Sequence, residues 1–196
     1  MTLLELIVGL TVTGLVLTAG FGALGVLGDR RQAVETAATA EARAAAERQA
    51  LVDWLGGARL VADEGGPEFR GLDGVRDGMP DDQITLLTTA LTPLGQGDMI
   101  VRLYVDRDSA TLERGFTAAF AEWRGTAVAR VELDPRVAGF DVRYRSARLG
   151  RQDWFPSWVS STLLPAGIEI RLLPAPGDSL PALLRLPILV PLRSGS

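Results

Sequence analysis

Two pairs of aspartates are the residues in this chain whose type and spacing come closest to a chemical site. Asp81 and Asp82 are adjacent, and Asp106 and Asp108 flank a single arginine. Carboxylate oxygens are ligands that calcium prefers, so either pair is a candidate calcium site. Neither pair has the spacing of an EF-hand, and the run DRDS between two apolar stretches is equally typical of a turn. We therefore expect no cofactor, with calcium at these four aspartates as the alternative.

The rest of the composition argues against catalysis. The 196 residues include no histidine and no cysteine, which excludes Cys or His catalysis, thiolate metal sites and a disulfide framework. The chain has no G-x-S-x-G motif, and its glycine-rich stretches do not fit a phosphate-binding loop. A hydrolase that uses two carboxylates stays open, although nothing in the sequence points to one. We predict that the protein is not an enzyme.

Tryptophans are the remaining candidates for a binding site. Trp154 and Trp158 lie close together near the end of the chain. Such side chains can stack on a sugar or a base, but they are more often core residues or anchors of a protein interface. The formal net charge of −4 argues against nucleic acid as a partner. We predict Trp154 and Trp158 as interface residues.

The chain divides into three segments that must position the candidate residues, and the first of them, residues 1–28, is apolar. Glu5 is its first charged residue, and the 23 residues from Leu6 to Gly28 carry no charge. A helix of about 20 apolar residues is long enough to cross a bilayer. A secretory signal peptide would need basic residues before a shorter apolar run, and none precede this one. We predict a transmembrane and assembly helix in residues 1–28.

The second segment, residues 29–56, is predicted to continue this helix as an amphipathic one. It is rich in alanine, lacks proline, and ends at the stop signal Gly56-Gly57. Leu51 and Leu55 belong to an apolar stripe of helical period, and glutamates alternate with arginines on the other face.

The third segment, residues 57–196, is predicted to form a β-rich globular domain. The run MIVRLYV alternates with period two and is followed by a turn and a returning strand, which predicts a hairpin. Further runs with strand character are QITLLTTAL, TAVARVEL, AGFDVRYR, AGIEIRLLP and LLRLPILVP. One long helix followed by many short strands predicts an α+β fold with antiparallel sheets.

Residues 2–10, TLLELIVGL, resemble the start of mature type IV pilins and type II secretion pseudopilins. The match is contiguous and continues into an apolar helix, although Met1 stands where this family usually has phenylalanine. Residues 140–144, Trp154, Trp158 and residues 164–170 resemble the J-type minor pseudopilin. The assembly motif implied by this resemblance comprises Met1, Thr2, Leu3, Leu4 and Glu5.

The resemblance implies a pilin-like fold and a non-enzymatic minor pseudopilin of type II protein secretion, placed near the tip of a pseudopilus. The expected partners are other pseudopilins, the inner membrane and a prepilin peptidase. The expected location is a single-pass protein of the bacterial inner membrane with its domain in the periplasm. Within this family Glu5 would pair with the N-terminal amine of a neighbouring subunit. The alternatives are a pilin of an adhesive or DNA-uptake filament and a single-pass accessory subunit of another membrane complex.

Overall fold

The computed structural model describes residues 3–61, 65–107, 115–146 and 153–192. In the first of these ranges, side chains are described at Leu10 and Thr11 and from Arg30 onward. The chain divides into two compact units at the boundary between Arg43 and Ala44.

Helix α1 (Leu3–Gly56) is the first element and ends at the predicted Gly56 stop. From Arg30 to about the unit boundary its side chains are mostly exposed, and Arg31 pairs with Glu35 at 2.8 Å one turn later. Among the described residues, no helix is long and apolar enough to cross a membrane. On this finding the predicted transmembrane helix and the single-pass inner-membrane location with a periplasmic domain are wrong. The side chains of 12–28, which form most of the predicted span, lie outside the described residues.

Short antiparallel strands make up most of the second unit. A short helix, α2 (Ala182–Arg185), precedes the last strand. The strands are β1 (Ala58–Arg59), β2 (Phe69–Leu72), β3 (Val75–Arg76), β4 (Met79–Pro80), β5 (Gln83–Thr88), β6 (Met99–Asp106), β7 (Gly115–Glu122), β8 (Val128–Asp134), β9 (Val137–Arg145), β10 (Trp154–Phe155), β11 (Trp158–Ser160), β12 (Gly167–Pro174) and β13 (Ile188–Pro191).

These strands form two main sheets and one small hairpin. The larger sheet has the order β11-β2-β5-β6-β7-β8, with β1 also paired to β5. The smaller sheet has the order β10-β9-β12-β13, and β3 pairs with β4. Every pairing between these strands is antiparallel. Because the described chain is mostly antiparallel sheet with only two helices, the predicted α+β, pilin-like fold class is wrong.

The hydrophobic core lies on one face of each sheet, as period-two alternation requires. Val101 and Leu103 on β6 are fully buried, whereas Arg102 between them is exposed. On the smaller sheet, Val142 lies opposite Ile170 in the register of β9 and β12, and both are buried. The sheets meet through aromatic contacts, which include Phe69 with Tyr144 and Phe116 with Phe140.

The last turns of α1 are part of the same core. Leu51 and Leu55 are fully buried, and the Trp54 ring packs edge-on against Phe120 with centroids 4.9 Å apart. The Trp54 Nε1–H donates a hydrogen bond of 3.0 Å to the Leu91 carbonyl. The Arg48 guanidinium donates to three carbonyl oxygens, that of Leu183 in α2 and those of Leu186 and Pro187 between α2 and β13. The helix end is therefore fixed by apolar burial and by charge-assisted hydrogen bonds.

Candidate protein-binding surface

The segment from Trp154 to Ser160 supplies an outermost strand to each main sheet. In β10, Trp154 lies opposite Arg145 of β9, at one edge of the smaller sheet. In β11, Trp158 lies opposite Gly71 of β2, at one edge of the larger sheet. One short segment thus brings the two predicted interface tryptophans to adjacent sheet edges.

Apolar side chains are unusually exposed along this segment. The exposed fractions are 39% for Trp154, 41% for Phe155, 53% for Val159 and 46% for Leu163. Together with the half-buried Trp158 they form what we call the aromatic edge patch. Single exposed apolar residues are normal, but clustered ones typically mark an interaction surface.

The aromatic edge patch is held in place by its own hydrogen bonds. The Trp158 Nε1–H donates to the Leu163 carbonyl at 3.0 Å, and the Ser160 hydroxyl accepts the Leu163 N–H at 2.9 Å. Phe155 packs edge-on against Trp158, with ring centroids 6.4 Å apart. These contacts form a groove of ≈ 390 Å³ whose lining includes Phe155, Trp158, Val159 and Leu163. A preorganised apolar groove loses little conformational entropy when it binds a partner.

A second, smaller pocket extends this apolar surface onto the other sheet. Trp154 lines it with Ile168, Leu189 and Pro191, and its volume is ≈ 140 Å³. Leu189 is 60% exposed. Exposed apolar surface therefore continues from β11 across β10 to β13.

Sequence reasoning identified the two tryptophans and missed Phe155, Val159 and Leu163. The available signal was composition, since residues 154–164 combine large apolar residues with serine and proline and without a regular period. Such a run fits neither a buried strand nor an ordinary polar loop. The assembly motif cannot be placed, because Met1, Thr2 and the side chains of Leu3, Leu4 and Glu5 lie outside the described residues.

Three of the four aspartates considered for calcium contact other groups of the protein. Asp82 is only 2% exposed, and its carboxylate accepts backbone N–H groups of Gly74 at 2.9 Å and Val142 at 2.7 Å. Asp81 lies 3.9 Å from the Arg107 guanidinium. Asp106 forms an ion pair with Arg130.

Nothing in the described ranges brings these aspartates together as metal ligands. No group of three or more histidine, cysteine, aspartate or glutamate side chains there is placed to hold a metal ion. Asp108 lies outside those ranges. The structure thus assigns Asp82 a clear role in folding, as the acceptor that joins the loop before β5 to strand β9.

Tyr144 is the second polar group enclosed near Asp82. Its side chain is fully buried, and its hydroxyl makes no hydrogen bond within the described part of the chain. Burial, together with the negative charge of Asp82, raises the pKa of Tyr144 above its ordinary value. The hydroxyl therefore stays protonated and loses its contacts with water on folding without replacing them.

We expect Tyr144→Phe to raise the free energy of unfolding by about 1 kcal/mol, because it removes a buried donor that has no acceptor. Urea unfolding followed by circular dichroism measures the change. Tyr104→Phe is the matched control, because it also removes a tyrosine hydroxyl but at a partly exposed position. A loss of stability in Tyr144→Phe would show that the hydroxyl makes a stabilising hydrogen bond in solution.

No protein-family model matches the chain, and none of the curated proteins shows significant similarity to it. The predicted membership of the type IV pilin and type II secretion pseudopilin family, including the prepilin-type N-terminal motif, is therefore wrong. The reasons are the absence of a matching family model and the mostly β architecture. The TLLELIVGL match is short, and apolar helices of unrelated proteins converge on similar composition.

Proposed function

We propose that the protein is a non-enzymatic subunit of a multiprotein assembly and that the aromatic edge patch binds its protein partner. The observation that carries this proposal is the clustering of exposed aromatic and aliphatic side chains on adjacent strands at the edges of two sheets. Trp154, Phe155 and Val159 are each more than a third exposed, and all three lie on the two strands of one short segment, where Phe155 also packs against Trp158.

The chemistry of the patch favours a protein over a small polar ligand. Its groove is lined mostly by apolar atoms, and Ser146, Ser157 and Ser160 also contribute to the lining. Aromatic anchors in a fixed position surrounded by a polar rim are typical of protein interfaces. The expected partner surface is apolar, with backbone or hydroxyl groups that can form hydrogen bonds with the serine hydroxyls of the groove.

Photo-crosslinking in the native cell tests this proposal. We expect a benzoylphenylalanine at position 155 to give an adduct of discrete mass, whereas the same group at Leu91 should not. Leu91 is 71% exposed, lies in the β5–β6 connection and provides a matched apolar control. Mass spectrometry of the adduct identifies the partner.

Side-chain truncation then measures the energetic role of the patch. We expect Val159→Ser and Trp154→Ser each to lower the adduct yield at position 155 at least about tenfold, as removal of an interface anchor does. Leu91→Ser should leave the yield unchanged. Equal crosslinking at positions 155 and 91, or full yield in both patch variants, would contradict the proposal.

A further inference from the structure

Strand β8 forms the edge of the larger sheet opposite to the aromatic edge patch. It pairs with β7 on one side, and no strand in the described part of the chain pairs with its other side. An unpaired strand edge presents a row of backbone donors and acceptors that can pair with another strand. The question is therefore which strand completes this edge.

Residues 128–132 of this edge lack the usual features that prevent pairing, whereas the end of the strand has a β-bulge at Leu133 and a buried carboxylate, Asp134. Its seven residues, VARVELD, include no proline and no lysine, and Val128 is 75% exposed. Ala129 and Val131 pack towards the core, whereas Arg130 and Glu132 alternate with them on the outer face. Natural edge strands that stay unpaired are usually shorter, or carry proline, lysine, a bulge or inward-pointing charges, and residues 128–132 of β8 have none of these.

The charge pattern of β8 is complementary to itself in one antiparallel register. If Val131 lies on a two-fold axis, it faces Val131 of a second copy. Arg130 then faces Glu132 of the second copy, and Glu132 faces Arg130 of the second copy. Opposite charges in directly facing positions stabilise an antiparallel pair.

Neighbouring registers are unfavourable for two separate reasons. An axis at Arg130 or at Glu132 places like charges directly opposite each other, which destabilises pairing. A shift by one residue places the core-facing side chains of one copy beside the outward-facing side chains of the other. The register centred on Val131 is the one in which both the faces and the charges match.

We propose that β8 pairs with β8 of a second copy of this chain, so that the larger sheet continues across a two-fold axis at Val131. Arg130 already forms an ion pair with Asp106 and lies 5.9 Å from the Tyr104 ring centroid. These contacts hold its side chain on the outer face of the sheet. The five N–H groups of a guanidinium allow Arg130 to bind Asp106 and Glu132 of the second copy together.

A single cysteine tests the axis, because the natural sequence contains none. We expect the full-length Val131→Cys protein to form a disulfide-linked dimer under mild oxidation, since facing Cβ atoms in an antiparallel pair are about 4.5–5.5 Å apart and a small shift of the strands brings them to the roughly 4 Å of a disulfide. Val128→Cys is the matched control, because its two copies would lie six residues apart along the strands, or about 20 Å. Val128 is the more exposed of the two residues, so random collision would crosslink it faster.

Charge reversal tests the register. In the Val131→Cys background, Glu132→Arg should slow crosslinking at least about tenfold, because it places two arginines opposite each other twice per dimer. Adding Arg130→Glu together with Asp106→Asn, which removes the like-charge contact that the reversal would create within one copy, should restore the rate to within about threefold of that of Asp106→Asn alone in the Val131→Cys background. Glu68→Arg, a charge reversal at the far side of the same sheet, should leave the rate unchanged.

Circular dichroism establishes that each variant is folded, and sedimentation velocity measures its association. Faster crosslinking of Val131→Cys than of Val128→Cys, with rescue by the double reversal, supports the proposal. Equal or inverted cysteine rates would overturn it. Absence of rescue in a folded double-reversal variant would overturn the register.

Discussion

Replacing Gly71 with alanine is expected to lower the free energy of unfolding by about 3 kcal/mol, because the added methyl group meets a core that cannot yield. A Cβ atom built at Gly71 would lie far inside van der Waals contact of the Tyr144 ring and hydroxyl. Tyr144 is fully buried and packs edge-on against Phe69, with ring centroids 5.9 Å apart. Glycine at this position lets the tyrosine ring lie directly against the backbone of β2.

Gly56→Ala provides a matched glycine substitution, because a Cβ there meets only Val190 Cγ1 at 4.0 Å. It should change stability by less than about 0.5 kcal/mol or stabilise the helix end. Urea unfolding of both variants measures the difference. In the double variant Gly71→Ala/Tyr144→Leu, the two losses should be less than additive by about 1 kcal/mol or more. Strict additivity would show that the clash involves a neighbour other than Tyr144.

The contact between Gly71 and Tyr144 shows what the sequence could not specify. The alternation of β6 was predictable, because a half-buried strand must present apolar residues with period two, and Val101, Leu103 and Arg102 follow that rule. The pairing of β2 with β11 was not, since it joins segments that are far apart in the chain and very short. Nothing in the local pattern at Gly71 indicates that a distant tyrosine needs its space.

The end of helix α1 was predicted correctly, whereas the membrane span and the pilin family were predicted wrongly. Gly56-Gly57 gave the stop, because glycine both weakens a helix and favours the conformations that end it. The inference from uncharged residues to a membrane span, and from a short match to a pilin family, used local composition alone. The described fold is instead decided by which strands pair, a property of the whole chain.

The candidate site was likewise only partly predictable from the sequence. Trp154 and Trp158 could be proposed as interface residues from their type, but their position on the edge strands of two different sheets could not be predicted. Asp82 stood out in the sequence only as one of four candidate calcium-binding carboxylates, and its hydrogen bonds to distant backbone groups were not predictable. Its sequence neighbours suggest a solvated loop, whereas tertiary structure buries it beneath Gly74 and Val142.

Burial of Asp82 has a consequence for the pH dependence of stability. Desolvation raises the pKa of Asp82 from 3.8 to about 6, and the negative charges of Asp73 and Asp141 act in the same direction. The hydrogen bonds from Gly74 and Val142 oppose this rise without cancelling it. The folded protein therefore binds this proton more tightly than the unfolded chain does. The stabilising contribution is complete below pH 3.8 and is lost as the pH rises through about 6.

Stability relative to Asp82→Asn should therefore fall by roughly 3 kcal/mol between about pH 3.5 and about pH 7, since each pKa unit corresponds to about 1.4 kcal/mol. The comparison is needed because other carboxylates also titrate in this range. Asparagine keeps the shape of the side chain but cannot release a proton, so the difference between the two proteins isolates Asp82. Asp178→Asn, which removes a carboxylate from an exposed turn, should follow the wild-type curve. A difference between wild type and Asp82→Asn that is independent of pH would contradict the prediction, because it would show that folding leaves the pKa of Asp82 unchanged.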